Sequence, residues 1–214
     1  MPPIEFFERL DKILFLLINH DSSYQYLDPV MLVARNPFTW IPLYIFIAWY
    51  MFVKIGKRGW QFILFSFITV AITDSCSTLL KNAFGRLRPC VNAEISGLVR
   101  HLVDCGGIYS FPSSHAANHF GMATFWFWAI YKTTGKKWRW LWIWASLICY
   151  AQVYAGKHFP SDIAAGALLG IITGTIMAKI FELAWDSKFN VQQILFSFKR
   201  KDIQPWHKSP YTIE

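Results

Sequence analysis

The chain has 214 residues, enough for one domain, and 54% of them are apolar while only 16% are charged. This excess of apolar residues excludes an ordinary small soluble domain and predicts an integral membrane protein. The net charge is +8, but the Lys and Arg residues lie in short clusters between long apolar runs. That pattern is typical of cations that flank membrane spans rather than of nucleic-acid binding.

The N-terminal segment, residues 1–27, is predicted to form an amphipathic helix. Apolar residues recur at helical spacing from Phe6 to Leu17, and the charged residues between Glu5 and Lys12 share the remaining face. The segment is too charged to cross a membrane. We therefore expect it to lie along the membrane interface, or to dock as a simple helix on the rest of the protein.

Residues 28–185 are predicted to form an all-α membrane domain. A helix needs roughly 20 apolar residues to cross a bilayer core of about 30 Å, and five apolar runs approach this length. The runs cover 38–53, 60–80, 116–131, 138–155 and 163–185. Pro37 and Pro42 leave the start of the first helix open, as far back as Asp28. The predicted fold is an integral membrane helical bundle of about five transmembrane helices.

Two features inside the runs are predicted to be structural. Gly166, Gly170 and Gly174 line one face of the fifth helix, where they would let a neighbouring helix approach closely. Asp74 lies within the second run, and we expect it to have a polar partner on another helix.

The charge distribution predicts an orientation. Lys and Arg are more numerous after the first, third and fifth runs than on the opposite side, which makes the first side cytoplasmic. The polar tail, residues 186–214, would then be a cytoplasmic extension. The loop 81–114 and the turn around His158 would face away from the cytoplasm.

Three polar clusters lie on this outer side, each at the end of an apolar run. Lys81 and Arg88 are about two helical turns apart, so both can point the same way. Ser113 precedes a predicted helix whose free N–H groups can bind an anion. Asp162 lies one helical turn after His158 and can reach its ring. Taken singly, these residues could be interface cations, a helix cap and a structural pair.

Together the clusters predict phosphoryl transfer. Cations and N–H groups stabilise the negative charge on the equatorial phosphate oxygens. A neutral histidine oriented by a carboxylate is a nucleophile, and a second histidine can protonate the leaving oxygen.

The same residues resemble the signature of the type 2 phosphatidic acid phosphatase superfamily, the membrane lipid phosphatases related to vanadium haloperoxidases. The first motif, Lys, six residues and Arg-Pro, runs here from Lys81 to Pro89. The second, Pro-Ser-Gly-His, reads Pro-Ser-Ser-His at 112–115. The third, which ends in His, three residues and Asp, matches His158 and Asp162.

The resemblance implies a metal-independent phosphatase without a cofactor. His158 would attack phosphorus and form a phosphohistidine, while Asp162 would hold the other ring nitrogen. His115 would protonate the leaving group and then activate water. The implied phosphate ligands are Lys81, Arg88, Ser113, Ser114 and Gln152.

The implied substrate is a lipid phosphate or pyrophosphate held in the bilayer. Undecaprenyl pyrophosphate, phosphatidylglycerophosphate and lipid A phosphate are substrates of similar family members. Small members of this kind are typically bacterial, so the resemblance implies a multi-pass protein of the bacterial plasma (inner) membrane, with its site facing the periplasm or the exterior. It implies no nucleic-acid or protein partner.

The chain departs from the family pattern at one position. The Ser-Arg that precedes the nucleophile is Ala151-Gln152 here, so one phosphate-binding cation is missing. Gln152 can donate a hydrogen bond, but without charge. Arg86 and Lys157 are the predicted compensating cations. The alternative function is a catalytically weak lipid-phosphate binding protein or a flippase-like protein.

The four cysteines are predicted to differ in redox state. Cys90 and Cys105 lie in the loop assigned to the oxidising side, where a disulfide would contribute about 3 kcal/mol. Two free thiols are the alternative. Cys76 and Cys149 lie within apolar runs, and we expect them to stay reduced.

A second interpretation concerns His115 and His119. The pattern His-x-x-x-His on a helix can bind zinc, but the Glu that metalloproteases place after the first His is missing. We expect no metal, and we expect His119 to lie one turn into the bundle with a hydrogen-bond partner.

Overall fold

The computed structural model describes residues 3–201, and their side chains from residue 5 to residue 186. These residues form helices joined by turns and one long loop. The helices are α1 (Pro3–Leu16), α2 (Asp28–Arg35), α3 (Ile41–Ile55), α4 (Gly59–Phe84), α5 (Ser114–Thr134), α6 (Trp140–Tyr154) and α7 (Pro160–Lys201). The all-α class is therefore confirmed.

Each of the five predicted runs corresponds to one of the helices α3 to α7. The described residues contain two helical stretches that are long and apolar enough to cross a membrane, Pro37–Phe84 and Pro160–Asp186. α6 has only 15 residues, and α5 begins with polar residues, which explains why neither reaches the same length and hydropathy. Five crossings stay a prediction.

The boundaries differ from the expected ones at both ends of the bundle. The first predicted transmembrane helix does not extend back to Asp28, because Asn36 before Pro37 has an extended backbone that separates α2 from α3. At the other end, α7 continues through Lys201 into the predicted polar tail. Residues 202–214 lie outside the described part of the chain.

The predicted glycine contact joins α5 and α7, which run parallel. A Cβ atom added to any of the three glycines would come within 2.4 Å of a backbone oxygen on α5. The pairs are Gly166 with Ser113, Gly170 with Ala117, and Gly174 with Gly121. This contact confirms the packing role of the glycines and brings the first turns of both helices together.

The far end of the bundle is held by charged and aromatic side chains. Lys132 at the end of α5 forms ion pairs of 2.7 Å with Glu182 and 3.0 Å with Asp186. The Arg58 guanidinium lies over the Trp185 ring. The turns after α3 and α5 therefore meet α7 at one end, while the three predicted motifs lie at the other.

α2 lies across the end of α6. Its first residue, Asp28, accepts hydrogen bonds from the Tyr154 hydroxyl at 2.7 Å and from Arg100 at 2.6 Å. Met31 and Ala34 are buried in one cluster with Tyr154 and Ala151 of α6. These contacts fix the short helix beside the residues that lead into the His158 turn.

Candidate active site

His158 and Asp162 meet in the turn between α6 and α7. His158 Nδ1 lies 3.6 Å from Asp162 Oδ2, which is beyond hydrogen-bond distance, and both side chains are buried. The same Asp162 oxygen accepts a hydrogen bond of 2.8 Å from the Phe159 N–H and so caps the start of α7. The helix start therefore fixes the carboxylate beside the ring.

Burial lowers the pKa of His158 below its usual value, because it disfavours the charged imidazolium. Asp162 opposes this shift, and the positive charges of Arg88 and Lys81 add to it. The lowered pKa keeps the ring neutral near pH 7, which is the form that can act as a nucleophile.

Lys81 and Ser114 connect α4 to the first turn of α5. Lys81 Nζ donates a short hydrogen bond to Ser114 Oγ, and Ser77 Oγ donates to the same oxygen at 2.7 Å. Ser113 caps α5, since its hydroxyl oxygen accepts from the Ala116 N–H at 3.4 Å. The structure therefore brings the first and second motifs into direct contact.

His115 and His119 lie one turn apart on α5. His115 interacts electrostatically with His158, Lys81 and Arg35. The His119 Nδ1–H donates to the His115 carbonyl oxygen at 2.8 Å, as expected for a hydrogen-bonded histidine inside the bundle. Asp74 also has a partner on another helix, because the Asn118 amide donates to it at 3.4 Å.

One backbone oxygen holds two cations of the site. The Cys105 carbonyl accepts from Arg88 Nη1 at 2.6 Å and from Lys157 Nζ at 2.8 Å. Cys105 is joined to Cys90 by a disulfide, and Cys76 and Cys149 are free. Burial, together with the nearby positive charges of Arg88 and Arg35, lowers the pKa of Lys157 to about 8.

Arg86, a predicted compensating cation, forms ion pairs with two carboxylates. Its Nη1 donates to Asp162 Oδ1 at 2.7 Å and to Ser161 Oγ at 2.6 Å, while Nη2 donates to Asp11 at 2.6 Å. Its guanidinium also lies over the Phe159 ring. Two carboxylates therefore already pair with the charge of Arg86, which holds the base of the His158 turn, and its compensation for Gln152 stays an untested prediction.

Gln152 lies deep in the protein beneath the same turn. Its side chain is 1% exposed, and its Nε2 atom has no hydrogen-bond partner among the described residues. Its backbone oxygen accepts from the Lys157 N–H at 3.1 Å. In the sequence motif Gln152 stands where the family has arginine, and its amide carries no charge.

Two residues of this region were not predicted. Asp11 is buried, and it falls on the helical stripe of Phe7 and Leu14, where a charged residue interrupts an apolar face. That interruption could have identified Asp11 as a residue with a buried polar partner. Arg35 lies far before the first motif, and no local pattern connects it with the site.

Comparison with known proteins identifies the family. The profile of the PAP2 superfamily, the type 2 phosphatidic acid phosphatases, matches residues 59–186. The chain is 34% identical to a lipid A 4'-phosphatase of Bacteroides thetaiotaomicron over 178 residues, which are 78% of this chain and 75% of the relative. A lipid A 4'-phosphatase of Porphyromonas gingivalis is 27% identical, with 83% of this chain and 75% of the relative covered.

Two crystal structures are similar. Aquifex aeolicus LpxE superposes with a TM-score of 0.57 at 30% identity, covering 79% of this chain and 95% of that one. A transmembrane PAP2-type phosphatidylglycerolphosphate phosphatase from Bacillus subtilis has a TM-score of 0.63 at 20% identity, covering 85% and 88%, and supports the fold alone. The profile match and the 34% identity together show that this chain belongs to the PAP2 superfamily and is a phosphatase.

Proposed function

We propose that this membrane phosphatase hydrolyses a lipid phosphate through a phosphohistidine intermediate on His158. The observation that carries the proposal is the buried His158 ring, 3.6 Å from Asp162, within the field of Lys81 and Arg88. A neutral imidazole with cations around it is suited to attack a phosphate, because the cations stabilise the charge of the transition state.

In the proposed reaction, His158 Nε2 attacks phosphorus while its Nδ1–H faces Asp162. The P–O bond to the lipid breaks, and His115, which takes up a proton when the anionic phosphate binds beside it, gives that proton to the leaving oxygen. Asp162 stabilises the phosphoimidazolium that results. His115 then takes a proton from water, which attacks phosphorus, breaks the P–N bond and releases inorganic phosphate. Lys81, Arg88, Ser113 and Ser114 would bind the phosphate oxygens, and no step needs a metal.

An apolar groove supports a lipid as the leaving group. The groove has a volume of about 480 Å³ between α3, α4 and α5, and its lining includes Asn118 and His119. These residues lie one turn below His115, the proposed acid. In the proposed reaction the leaving oxygen is on the His115 side, so acyl chains of the leaving lipid could follow this groove into the bilayer.

The proposed substrate is a lipid A-type phosphate monoester at the outer face of a bacterial plasma membrane. Two relatives named lipid A 4'-phosphatases support this choice over a diphosphate. Undecaprenyl diphosphate is the second candidate, because a putative undecaprenyl-diphosphatase of Escherichia coli is 28% identical over 85% of this chain. Multi-pass topology with the site facing outward is part of the same proposal.

A weak lipid-phosphate binding or flippase-like protein is the competing function, and Gln152 is the observation that favours it. The two functions predict different results with purified protein. We would measure phosphate release from lipid A phosphate, undecaprenyl diphosphate and phosphatidylglycerophosphate, with excess chelator present. Catalytic release from lipid A phosphate is expected.

The matched control is His158→Ala, which should abolish turnover and the acid-labile phosphoenzyme that a labelled substrate leaves on the wild-type protein. Binding of the lipids without release would favour the competing function. Turnover by His158→Ala at the wild-type rate would contradict the proposed nucleophile.

A further inference from the structure

Arg35 is a cation near the site that lies outside the family motifs. Arg35 is the last residue of α2, and its position is fixed by the contacts of that helix. Neighbouring Ala34 is buried in one cluster with Ala151 and Tyr154, and its carbonyl oxygen accepts from Trp40 Nε1 at 2.9 Å. α2 therefore ends beside the α6 segment that contains Gln152.

The Arg35 guanidinium has no partner among the residues that the structure describes. It forms no hydrogen bond or ion pair with any residue that the structure describes, and its Nε atom is buried without a partner. Other cations of this region differ: Arg86 pairs with Asp11 and Asp162, and Arg100 pairs with Asp28. A buried polar group without a partner costs free energy, so an anionic ligand at this place would be strongly favoured.

The charge of Arg35 acts on the phosphate site itself. It lowers the pKa of Lys157, for which burial is the largest cause, and it also lowers the pKa of Arg88. Like charges raise each other's free energy in a partly buried site, and a phosphate among them would relieve that repulsion. Arg35, Arg88 and Lys157 belong to separate segments, and their charges are close enough to interact.

We propose that Arg35 is a phosphate-binding residue that supplies the positive charge missing at Gln152. The inference rests on the proposed function, since it assigns a further ligand to the same phosphate. The cation would then come from α2 instead of from α6. With arginine in place of the uncharged Gln152, two guanidinium groups would compete for one position. A single Gln152→Arg change should therefore bring no gain in turnover.

The decisive comparison is Arg35→Gln, Gln152→Arg and the double variant. Arg35→Gln is expected to lower kcat/KM for the hydrolysed lipid by about thirtyfold, as for the loss of a charge-assisted hydrogen bond in the transition state. The double variant should regain most of this loss, because the charge returns from the other helix. A role in packing α2 alone would not be rescued by a cation on α6.

A binding measurement tests the role of Arg35 separately from the role of His158 as the nucleophile. The inactive His158→Ala protein should be stabilised against thermal unfolding by orthovanadate, a phosphate analogue. Adding Arg35→Gln should abolish that stabilisation, while adding Arg139→Gln, an exposed cation at the far end, should not. This arm needs no turnover, so it reports on Arg35 even where the phosphohistidine mechanism fails.

Two results would overturn the proposal. One is unchanged kcat/KM in Arg35→Gln, accompanied by loss of turnover in His158→Ala. The other is a loss in Arg35→Gln that the double variant does not recover, together with undiminished vanadate stabilisation.

Discussion

Arg86 and Asp162 form an ion pair of 2.7 Å through the carboxylate oxygen that does not face His158. The other oxygen faces the His158 ring. Arg86 therefore holds one oxygen of the carboxylate, while the second oxygen is directed at His158. Arg86 is itself held by Asp11 of α1 at 2.6 Å. Asp11 also accepts hydrogen bonds from the Ser161 hydroxyl and from the Ser161 N–H. α1 is thereby linked to the His158 turn.

This link predicts that Asp11 is a positioning residue. Asp11→Asn should lower kcat by about tenfold with little change in KM, because it removes a charge-assisted interaction behind the carboxylate rather than a substrate contact. The control is Glu5→Gln, an exposed carboxylate on the same helix. Steady-state kinetics of both variants checks this, and equal kcat values in Asp11→Asn and wild type would disprove it.

The lowered pKa of Lys157 predicts a pH dependence. The ammonium carries its charge below a pKa of about 8 and loses it as the pH rises through that value. kcat/KM should therefore decline in this range, because the phosphate site loses one positive charge. Lys157→Arg stays charged, so its profile should decline only at higher pH. Identical alkaline limbs in the two profiles would show that Lys157 does not contribute.

The disulfide predicts a joint effect on stability and activity. Cys90→Ser should lower the free energy of unfolding by about 3 kcal/mol, as for a bridge that closes a loop of this length. It should also lower kcat/KM, since Cys105 carries the carbonyl that holds Arg88 and Lys157. Cys76→Ser is the control, because Cys76 is free. Rapid alkylation of Cys90 in the untreated protein would contradict the bond.

The glycine contact predicts a strong effect of a single methyl group. In Gly170→Ala, the new Cβ would lie 2.4 Å from the Ala117 oxygen, so α5 and α7 must separate. Overpacking of this kind costs about 1–3 kcal/mol, and the thermal unfolding temperature in detergent should fall. Gly97→Ala is the control, since nothing lies within 4 Å of its new Cβ. A similar unfolding temperature in both variants would count against the tight helix contact.

The sequence predicts the parts of the site that lie within short segments. Lys81 and Arg88, the Ser113 cap, and the His158–Asp162 pair each have a spacing with a local physical meaning. The helices themselves follow from apolar runs, and the glycine contact follows from a repeat of four residues. In each case the sequence pattern and the structural feature that it predicts involve residues that are close together in the chain.

The remaining features depend on contacts between distant segments. The sequence alone does not distinguish Arg86 from Lys157 as a compensating cation, yet the structure gives Arg86 two carboxylate partners, one of them on α1. Arg35 reaches the site only because α2 packs across the end of α6. Contacts between distant segments leave no periodic pattern in the sequence. The charge of a residue and its closeness to a motif therefore could not distinguish a phosphate ligand from a structural cation.

If α1 lies along the membrane interface, as predicted, it connects the proposed catalytic centre with the surrounding lipid. Phe6, Phe7 and Ile13 are exposed on the outside of the protein, while Asp11 of the same helix holds Arg86. A helix anchored in acyl chains tilts or shifts when membrane thickness or lateral pressure changes. Such a shift would reach the carboxylate beside the nucleophile through a single guanidinium group. The enzyme's rate would then depend on the physical state of the bilayer as well as on the amount of substrate within it.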